Sequence, residues 1–206
     1  MRIRLACFLA VLFCSCFTVI AFSQKKLPNP KIGKNETEIN VFNSWDQGDI
    51  GRRTLLGCEA IYRGSWRKSA KLGGGILLAA DKREYSYEGN VKFYGAVFAD
   101  ITQFIGKRQL LSIDGRVGHG LYKEEYEFDD SMSKGFSKWT AGMYYSIGPA
   151  YRIIVSEKIL ITASIFIFYR NFRRTFVAEY YFPPSLERYK DVHYYSGGGF
   201  RFGIVF

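Results

Sequence analysis

Residue types that could catalyse a reaction are sparse in this 206-residue sequence. There are two histidines, His119 and His193, and Ser196 follows the second by three positions. Residues three apart in a strand point to opposite faces, so this serine and histidine do not form a nucleophile and base pair. We therefore expect no enzyme activity and predict no catalytic, cofactor-binding or metal-binding residue.

Six charged residues stand out because each lies in a segment where small or polar residues alternate with apolar ones. They are three acids and three bases: Glu59, Asp100, Asp114, Arg116, Arg152 and Arg201. Alternate residues of a strand share a face, so we expect the six charges to meet on one side of a sheet. Breaking a buried ion pair costs about 3 to 5 kcal/mol, so buried charges need partners. The set predicts a structural salt-bridge network, with a proton or ion path as the alternative.

Residues 1–23 have the features of a secretory signal peptide. Two arginines precede an uncharged stretch over residues 5–22, and the small residues Ala21 and Ser23 stand before a cut at Gln24. A retained helical anchor is the alternative. Cleavage would leave Cys58 as the single cysteine, which excludes an internal disulfide and a cysteine metal cluster. Residues 24–36 are expected to form a flexible leader.

The rest of the chain has the alternation of antiparallel strands rather than the period of helices. Aromatic residues make up 17% of the chain, and a mean hydropathy of -0.10 is too polar for a bundle of membrane helices. The pattern predicts eight strands, at 37–45, 53–62, 70–80, 91–105, 110–126, 139–155, 159–176 and 194–206. An even number of strands suits a closed barrel. The fold class predicted for residues 37–206 is therefore all-β, an eight-stranded antiparallel barrel of up-and-down topology.

The two faces of these strands differ in a way that predicts which one is outside. Bulky apolar residues occupy one face, and charged residues with Gly and Ser occupy the other; from Trp139 to Val155 the odd-numbered residues, beginning with Trp139 and Ala141, form the apolar set. An eight-stranded barrel has room inside only for modest side chains. We therefore expect the apolar face to contact lipid and the charged face to fill the lumen. A soluble ligand-binding barrel with an apolar lumen is the alternative.

Connection lengths add to this interpretation. Short connections at 106–109 and 156–158 alternate with long ones at 81–90, 127–138 and 177–193. Outer-membrane barrels have short turns on the periplasmic side and long loops outside. The last long segment contains an apolar group that begins at Tyr180, which suggests either a partner surface or a plug over the barrel mouth.

The final strand, 194–206, resembles that of the small eight-stranded outer-membrane proteins of the OmpA/OmpX type. Phe200, Phe202, Ile204 and Phe206 alternate with small or charged residues up to a terminal Phe. The resemblance implies a location in the bacterial outer membrane and an assembly signal at these four residues, read by the barrel-assembly machinery. Some members of this class modify lipid A, and one deacylase group pairs His with Ser two residues later; Tyr195 stands at that place here.

Basic residues collect near the predicted outer rim, where Arg170, Arg173 and Arg174 accompany Lys123 and Lys138. Phosphorylated lipid headgroups, including those of lipopolysaccharide, are the expected partners. The net charge of +10 would otherwise suggest nucleic acid, which export argues against. We therefore expect a structural or surface and lipid-interaction role with a lumen plugged by side chains. A narrow pore or transporter for small solutes and a lipid A-modifying enzyme are the alternatives.

Overall fold

The computed structural model describes residues 34–48, 51–83, 92–106 and 108–206. The predicted signal peptide at 1–23 and the leader up to residue 33 lie outside these ranges. Asn35 and Glu36, assigned to the leader from the sequence, instead begin the first strand. In the described part of the chain no helix is long and apolar enough to cross a membrane.

The described residues form nine strands in one antiparallel sheet. They are β1 (Asn35–Gly48), β2 (Gly51–Arg67), β3 (Ala70–Arg83), β4 (Lys92–Ile105), β5 (Leu111–Gly120), β6 (Lys123–Asp129), β7 (Ser133–Ile154), β8 (Leu160–Tyr181) and β9 (Pro184–Val205). Each strand pairs with the next one in the chain except β5, which pairs with β7 instead of β6, and β1 pairs with β9. β5 and β6 both pair with β7 and are separated only at residues 121–122, so they share one position in the ring. The predicted eight-stranded up-and-down barrel is confirmed.

The two ends of the barrel are built differently. The lower end carries the turn at 68–69, the described residues 106 and 108–110 between β4 and β5, and the bend at 155–159. It also carries the start of β1, which is joined to the C-terminus by Thr37–Phe206 backbone hydrogen bonds of 2.9 and 3.0 Å. The upper end carries the turns at 130–132 and 182–183, the second containing a cis Phe182–Pro183 peptide. The connections at 49–50 and 84–91 lie outside the described residues.

Two of the long loops predicted from the sequence are strands instead. Residues 127–138 belong mostly to β6 and β7, and residues 177–193 to β8 and β9, each hairpin closing in a short turn. Both segments lie beyond the lipid-facing part of the barrel, so neither has to keep an apolar face, and the alternation that marks the other strands is weak there. Within residues 177–193, the β8 part and the β9 part pair with each other through ladder hydrogen bonds. The segment therefore continues the two strands and does not fold over the barrel mouth as a plug.

The apolar face of the barrel is the outer one. Ile147 is 51% exposed, Ile167 65% and Phe202 53%, whereas Arg152, Arg170 and the other inward residues are buried. Exposed apolar side chains on this scale are unfavourable in water and favourable in lipid. The predicted inside-out arrangement is therefore present, and the barrel is of the transmembrane type.

A β-bulge in β7 changes which residues face inward. The register with β8 shifts between Ala141 and Tyr144, and the Asn171 side-chain oxygen accepts a hydrogen bond of 3.0 Å from the Met143 N–H. A Cβ on Gly142 would lie 1.9 Å from that oxygen, so glycine leaves the room that the bulge needs. Below the bulge even-numbered residues face the lumen, and above it odd-numbered ones do. The expectation that Trp139 and Ala141 face lipid is therefore wrong.

Candidate functional site: the barrel interior and the upper rim

The lower half of the lumen is filled by an ion-pair cluster centred on Arg63. Its Nε lies 2.5 Å from Asp100 Oδ2 and its Nη1 lies 3.3 Å from Glu36 Oε1, with a further ion pair to Glu38. Glu36 also contacts Arg152 at 2.7 Å and Lys71 at 2.7 Å. Arg63 has no solvent exposure, so its charge is neutralised entirely by the protein.

The same cluster continues towards the middle of the barrel through Glu59. Arg116 Nη1 lies 2.6 Å from both Glu59 carboxylate oxygens, and Arg116 Nε lies 3.0 Å from Asp100. Arg201 approaches Glu59 at 3.2 Å and donates a hydrogen bond of 2.9 Å to Ser146. Asp114 lies in the same interior and accepts a hydrogen bond of 3.0 Å from Ser112.

A second charged cluster fills the upper half of the lumen. Arg170 contacts Asp46 at 2.7 Å and Asp81 at 3.3 Å, and Arg53 contacts Asp81 at 3.0 Å. Arg53 also donates a hydrogen bond of 2.8 Å to the Tyr195 hydroxyl. Arg170 is only 1% exposed, so the expectation that it contacts lipid headgroups is wrong. The reason is strand parity, because even-numbered residues of β8 up to this level point to the barrel axis.

An apolar layer separates the two charged clusters. Phe42 lies between Asn40 and Asp46 along β1, and Phe166 and Phe168 precede Arg170 along β8. These rings belong to the buried core, and the Arg201 guanidinium lies 3.6 Å from the Phe166 ring centroid. Within the described interior, buried charges therefore lie above and below a layer of buried aromatic rings.

The six charges predicted from the sequence all lie in this interior, and the structure adds eight more. The buried charged residues that the sequence did not identify as lumen charges are Glu36, Glu38, Asp46, Arg53, Arg63, Lys71, Asp81 and Arg170. Over the described ranges the interior therefore holds seven acids and seven bases, so it is neutral as a whole. The sequence carries a signal for several of these eight residues, because each alternates with an outward apolar residue. Examples are Glu38 beside Ile39 and Arg63 beside Tyr62.

Above the apolar belt, the exterior carries tyrosines and then a basic patch. Tyr145, Tyr169 and Tyr194 lie side by side on β7, β8 and β9, with ring centroids 6.1 and 5.8 Å apart. Aromatic girdles of this kind mark the membrane–water interface. Five of the outward residues that follow on β6 to β9 are basic, and they are here called the basic patch: Lys123, Lys138, Arg173, Arg188 and Lys190.

The register places uncharged residues opposite Arg173, Arg188 and Lys190 of the basic patch. Arg173 lies opposite Thr140 and Val192, Lys190 opposite Thr175, and Arg188 opposite Val177. Glu125 on β6 is the one acid directly opposite a patch residue, Lys138. Within the part of the chain that the structure describes, none of the five bases forms an ion pair.

The three arginines predicted as headgroup contacts thus have three different environments. Arg173 belongs to the basic patch, Arg170 is buried in the lumen, and Arg174 lies on the inward face of β8 above the barrel, against aromatic rings. Alternation along β8 requires this separation, because residues 173 and 174 must point to opposite faces.

The four residues of the predicted C-terminal assembly signal all face outward. Phe200, Phe202, Ile204 and Phe206 lie on the apolar exterior, and the Phe200 ring packs against Trp45 with centroids 5.7 Å apart. Their recognition by the assembly machinery stays a prediction.

Comparison with known proteins finds similarity at the level of overall shape. No family model and no curated relative matches the chain. The outer membrane protein AlkL, solved by solid-state NMR in lipid bilayers, is 14% identical with a TM-score of 0.43, covering 88% of this chain and 95% of AlkL. The β-domain of the Bordetella autotransporter BrkA is 7% identical with a TM-score of 0.27, covering 81% and 99%. The translocator domain of NalP from Neisseria meningitidis is 10% identical with a TM-score of 0.22, covering 96% and 95%.

The chain's own surface, rather than these distant likenesses, identifies its environment. A closed antiparallel barrel with an apolar exterior, interfacial tyrosines and a charged interior is the outer-membrane type of barrel. The location predicted from the sequence, the bacterial outer membrane, agrees with this structure.

Proposed function

We propose that this outer-membrane β-barrel is a non-conducting surface protein whose basic patch binds phosphorylated lipid headgroups, those of lipopolysaccharide included. The observation that supports the proposal best is the position of the basic patch directly above the tyrosine girdle. No catalytic role is part of the proposal.

The height of the patch fits the headgroup layer. Arg173 follows Tyr169 by four residues, which at roughly 3.3 Å per residue is about 13 Å along the strand. A strand tilt of roughly 40° reduces this to a height of about 10 Å above the girdle. Long arginine side chains can bend back towards the interface, so the guanidinium of Arg173 can reach phosphates at the top of the outer leaflet.

The chemistry of the patch also favours phosphate. Arginine donates paired hydrogen bonds to phosphate oxygens, and lysine adds a compact positive charge. Because Arg173, Arg188 and Lys190 lie opposite uncharged residues, binding a phosphate does not require an internal ion pair to break.

The closed lumen supports the non-conducting part of the proposal. Inward arginines over the belt, such as Arg63 at the lower end and Arg170 at the upper end, are buried and paired with opposite charges. Opening a path for solutes would separate such pairs, at about 3 to 5 kcal/mol for each one broken.

Headgroup binding can be tested with a charge-removal variant of the patch. Detergent-folded protein carrying Arg173→Gln, Arg188→Gln and Lys190→Gln is titrated with lipopolysaccharide, and binding is measured at two salt concentrations. We expect at least a tenfold weaker affinity and a smaller salt dependence than for the parent. The control carries Lys68→Gln and Lys158→Gln, two exposed lysines at the lower end, and should bind as the parent does. Equal binding by parent and patch variant would refute the headgroup site.

Conduction is measured separately on the unmodified protein in planar bilayers. We expect no steady single-channel steps. Regular steps from pure protein would refute the closed lumen and favour the narrow-pore alternative, and they would leave the headgroup result unaffected.

A further inference from the structure

The hairpins β6–β7 and β8–β9 continue above the barrel as a four-stranded sheet, here called the upper sheet (residues 123–140 and 172–193). Its outward face carries the basic patch, and its inward face carries a row of stacked aromatic rings. The ring centroids of Phe128 and Phe176 lie 5.7 Å apart at 15°, and those of Phe176 and Tyr189 lie 4.7 Å apart at 27°. Tyr126 extends the row, 6.4 Å from Phe128 at 21°.

Gly135 makes this row continuous across β7. It lies opposite Phe128 in the ladder, and a Cβ at this position would meet the Phe128 ring at 2.9 Å and the Val177 carbonyl oxygen at 2.0 Å. With no side chain on β7 at this level, the Phe128 ring lies across the strand and reaches Phe176 on β8. The result is a flat, half-exposed aromatic surface that spans the sheet.

Polar groups of both signs border the aromatic row. The Arg174 guanidinium lies 4.9 Å from the Phe176 ring centroid and 5.4 Å from that of Trp139, and its Nε donates a hydrogen bond of 3.1 Å to Ser137. No carboxylate among the described residues forms an ion pair with Arg174. Its guanidinium is therefore held by rings, with donors left for a ligand.

A histidine and an acid complete this border. The His193 ring lies against Trp139 with centroids 5.0 Å apart, and its two buried ring nitrogens have no hydrogen-bond partner among the described residues. Asp191 lies opposite Arg174 in the ladder, with its carboxylate 3.9 Å from His193 Nε2.

We propose that the inward face of the upper sheet binds a neutral saccharide chain. Flat aromatic rings present an electron-rich face to the weakly positive C–H groups of a sugar ring. Arg174, Asp191 and Ser137 supply the donors and acceptors that sugar hydroxyls need. A row that crosses three strands suits consecutive sugar units better than a single small ligand.

The charges of the face select a neutral chain over other occupants. Arg174, which lies against the Phe176 and Trp139 rings, repels a cation of the kind that aromatic cages bind. Asp191 and the exposed Glu187 on the same face repel a polyanionic chain. Membrane acyl chains are excluded by position, because the face lies above the tyrosine girdle and points towards the barrel axis.

Trp139 provides a reporter at the site. The chain has three tryptophans, and Trp45 and Trp66 are exposed on other strands. In a variant with Trp45→Phe and Trp66→Phe, all tryptophan fluorescence comes from the upper sheet. The probes are maltoheptaose, cellohexaose and chitohexaose as neutral chains, with hyaluronate oligosaccharide and phosphocholine as charged comparisons.

We expect at least one neutral chain to give a saturable change in Trp139 fluorescence. Phe176→Leu and Arg174→Gln, built separately in the same background, should each weaken that affinity about tenfold, or about 1.4 kcal/mol. Phe93→Leu, at an 81% exposed ring on β4, is the matched control and should leave it unchanged. The Phe176→Leu variant keeps an apolar strand residue, and a heat-modifiability gel verifies that it folds.

Three results would overturn the proposal: no saturable change with any neutral chain up to its solubility limit, binding of the charged probes alone, or an affinity in the Phe176→Leu and Arg174→Gln variants that equals the affinity of the background without them. The last result would leave the aromatic row with a purely structural role. The patch substitutions at 173, 188 and 190 lie on the opposite face, so the headgroup and saccharide proposals fail independently.

Discussion

At the residue scale, the barrel is organised by pairs of opposite charge held away from water. Arg63 shows this most fully, since Glu36, Glu38 and Asp100 converge on one guanidinium that has no contact with solvent. The Arg63 guanidinium holds these three acids together, and the surrounding lipid offers them no replacement for it. Loss of Arg63 would leave the described interior with seven acids against six bases.

Arg63→Met is expected to lower the free energy of unfolding by about 3 to 5 kcal/mol, the cost of removing one partner from a buried pair. Urea unfolding in lipid vesicles, followed by tryptophan fluorescence, measures the change. Lys158→Met at the exposed lower end is the control and should shift the midpoint little. A loss for Arg63→Met of under about 1 kcal/mol, the range of an exposed pair, would contradict this account of the cluster.

Asp130 provides a pH-dependent contact at the tip of the β6–β7 hairpin. Its carboxylate accepts backbone hydrogen bonds of 2.8 Å from Met132 and from Ser133, and these bonds lower its pKa below the usual 3.8. Because the pKa of Asp130 is lower in the folded state, the contact stabilises the turn fully when the pH is above the unfolded pKa of the carboxyl group. This stabilisation is lost as the pH falls through the folded pKa.

We expect the Ser133 amide resonance to titrate with a midpoint below 3.8 when NMR spectra are recorded between about pH 6 and pH 2. The dependence should vanish in Asp130→Asn. A midpoint at or above 3.8 would show that the two backbone bonds do not hold the carboxylate.

At the element scale, strand parity determines which side chains meet lipid. β7 demonstrates this, because the bulge near Gly142 reverses its parity: below it Ile147 faces out, and above it Trp139 faces in. The bulge belongs at this height, since it lies where β7 leaves the lipid-facing belt and enters the upper sheet. In β7, odd-numbered residues therefore face the lipid below the bulge, whereas even-numbered residues face outward above it.

Ile147→Arg tests the outward assignment of β7 below the bulge. Ile147 lies on the apolar belt, and a basic residue on the lipid face costs about 2 to 4 kcal/mol at the bilayer midplane. Unfolding in vesicles of defined thickness measures the cost, with Ile147→Val as the control that keeps an apolar side chain. Stability equal to that of the parent would place residue 147 away from the bilayer centre.

At the scale of the whole molecule, the chain consists of a closed barrel and a sheet that stands on one side of its rim. Closure depends on the β1–β9 ladder, which ends at Gly48 and Tyr195, and on the β5–β7 ladder, which ends at His119 and Met143. The upper sheet begins where these ladders end, so the contacts that close the barrel do not include it. We infer that the barrel folds without the outer part of the sheet.

A variant with both hairpins shortened tests this independence. Residues 126–137 and 176–189 are each replaced by Asn-Gly, which joins the register partners Glu125 to Lys138 and Thr175 to Lys190 through two-residue turns. We expect a heat-modifiable barrel with a urea midpoint close to that of the parent. A variant shortened in the β6–β7 hairpin alone is the control, and an unfolded product in both would show that the sheet is needed for closure.

Sequence by itself determined that eight strand positions form the ring and that the apolar face of the barrel is outside, because alternation within one strand is sufficient to show both. Alternation of Phe200, Phe202 and Ile204 with Arg201 and Gly203 is sufficient to separate a lipid face from a lumen face. The tertiary structure decided which charges are partners, since Arg152 and Glu36 lie 116 positions apart and meet only through the register around the ring. It also decided the parity of β7 and the fates of Arg170, Arg173 and Arg174, because one bulge or one position along a strand exchanges the two faces. The upper sheet could not be predicted for a different reason. Its strands lie outside the lipid and are held by backbone pairing, so their side chains show little periodicity.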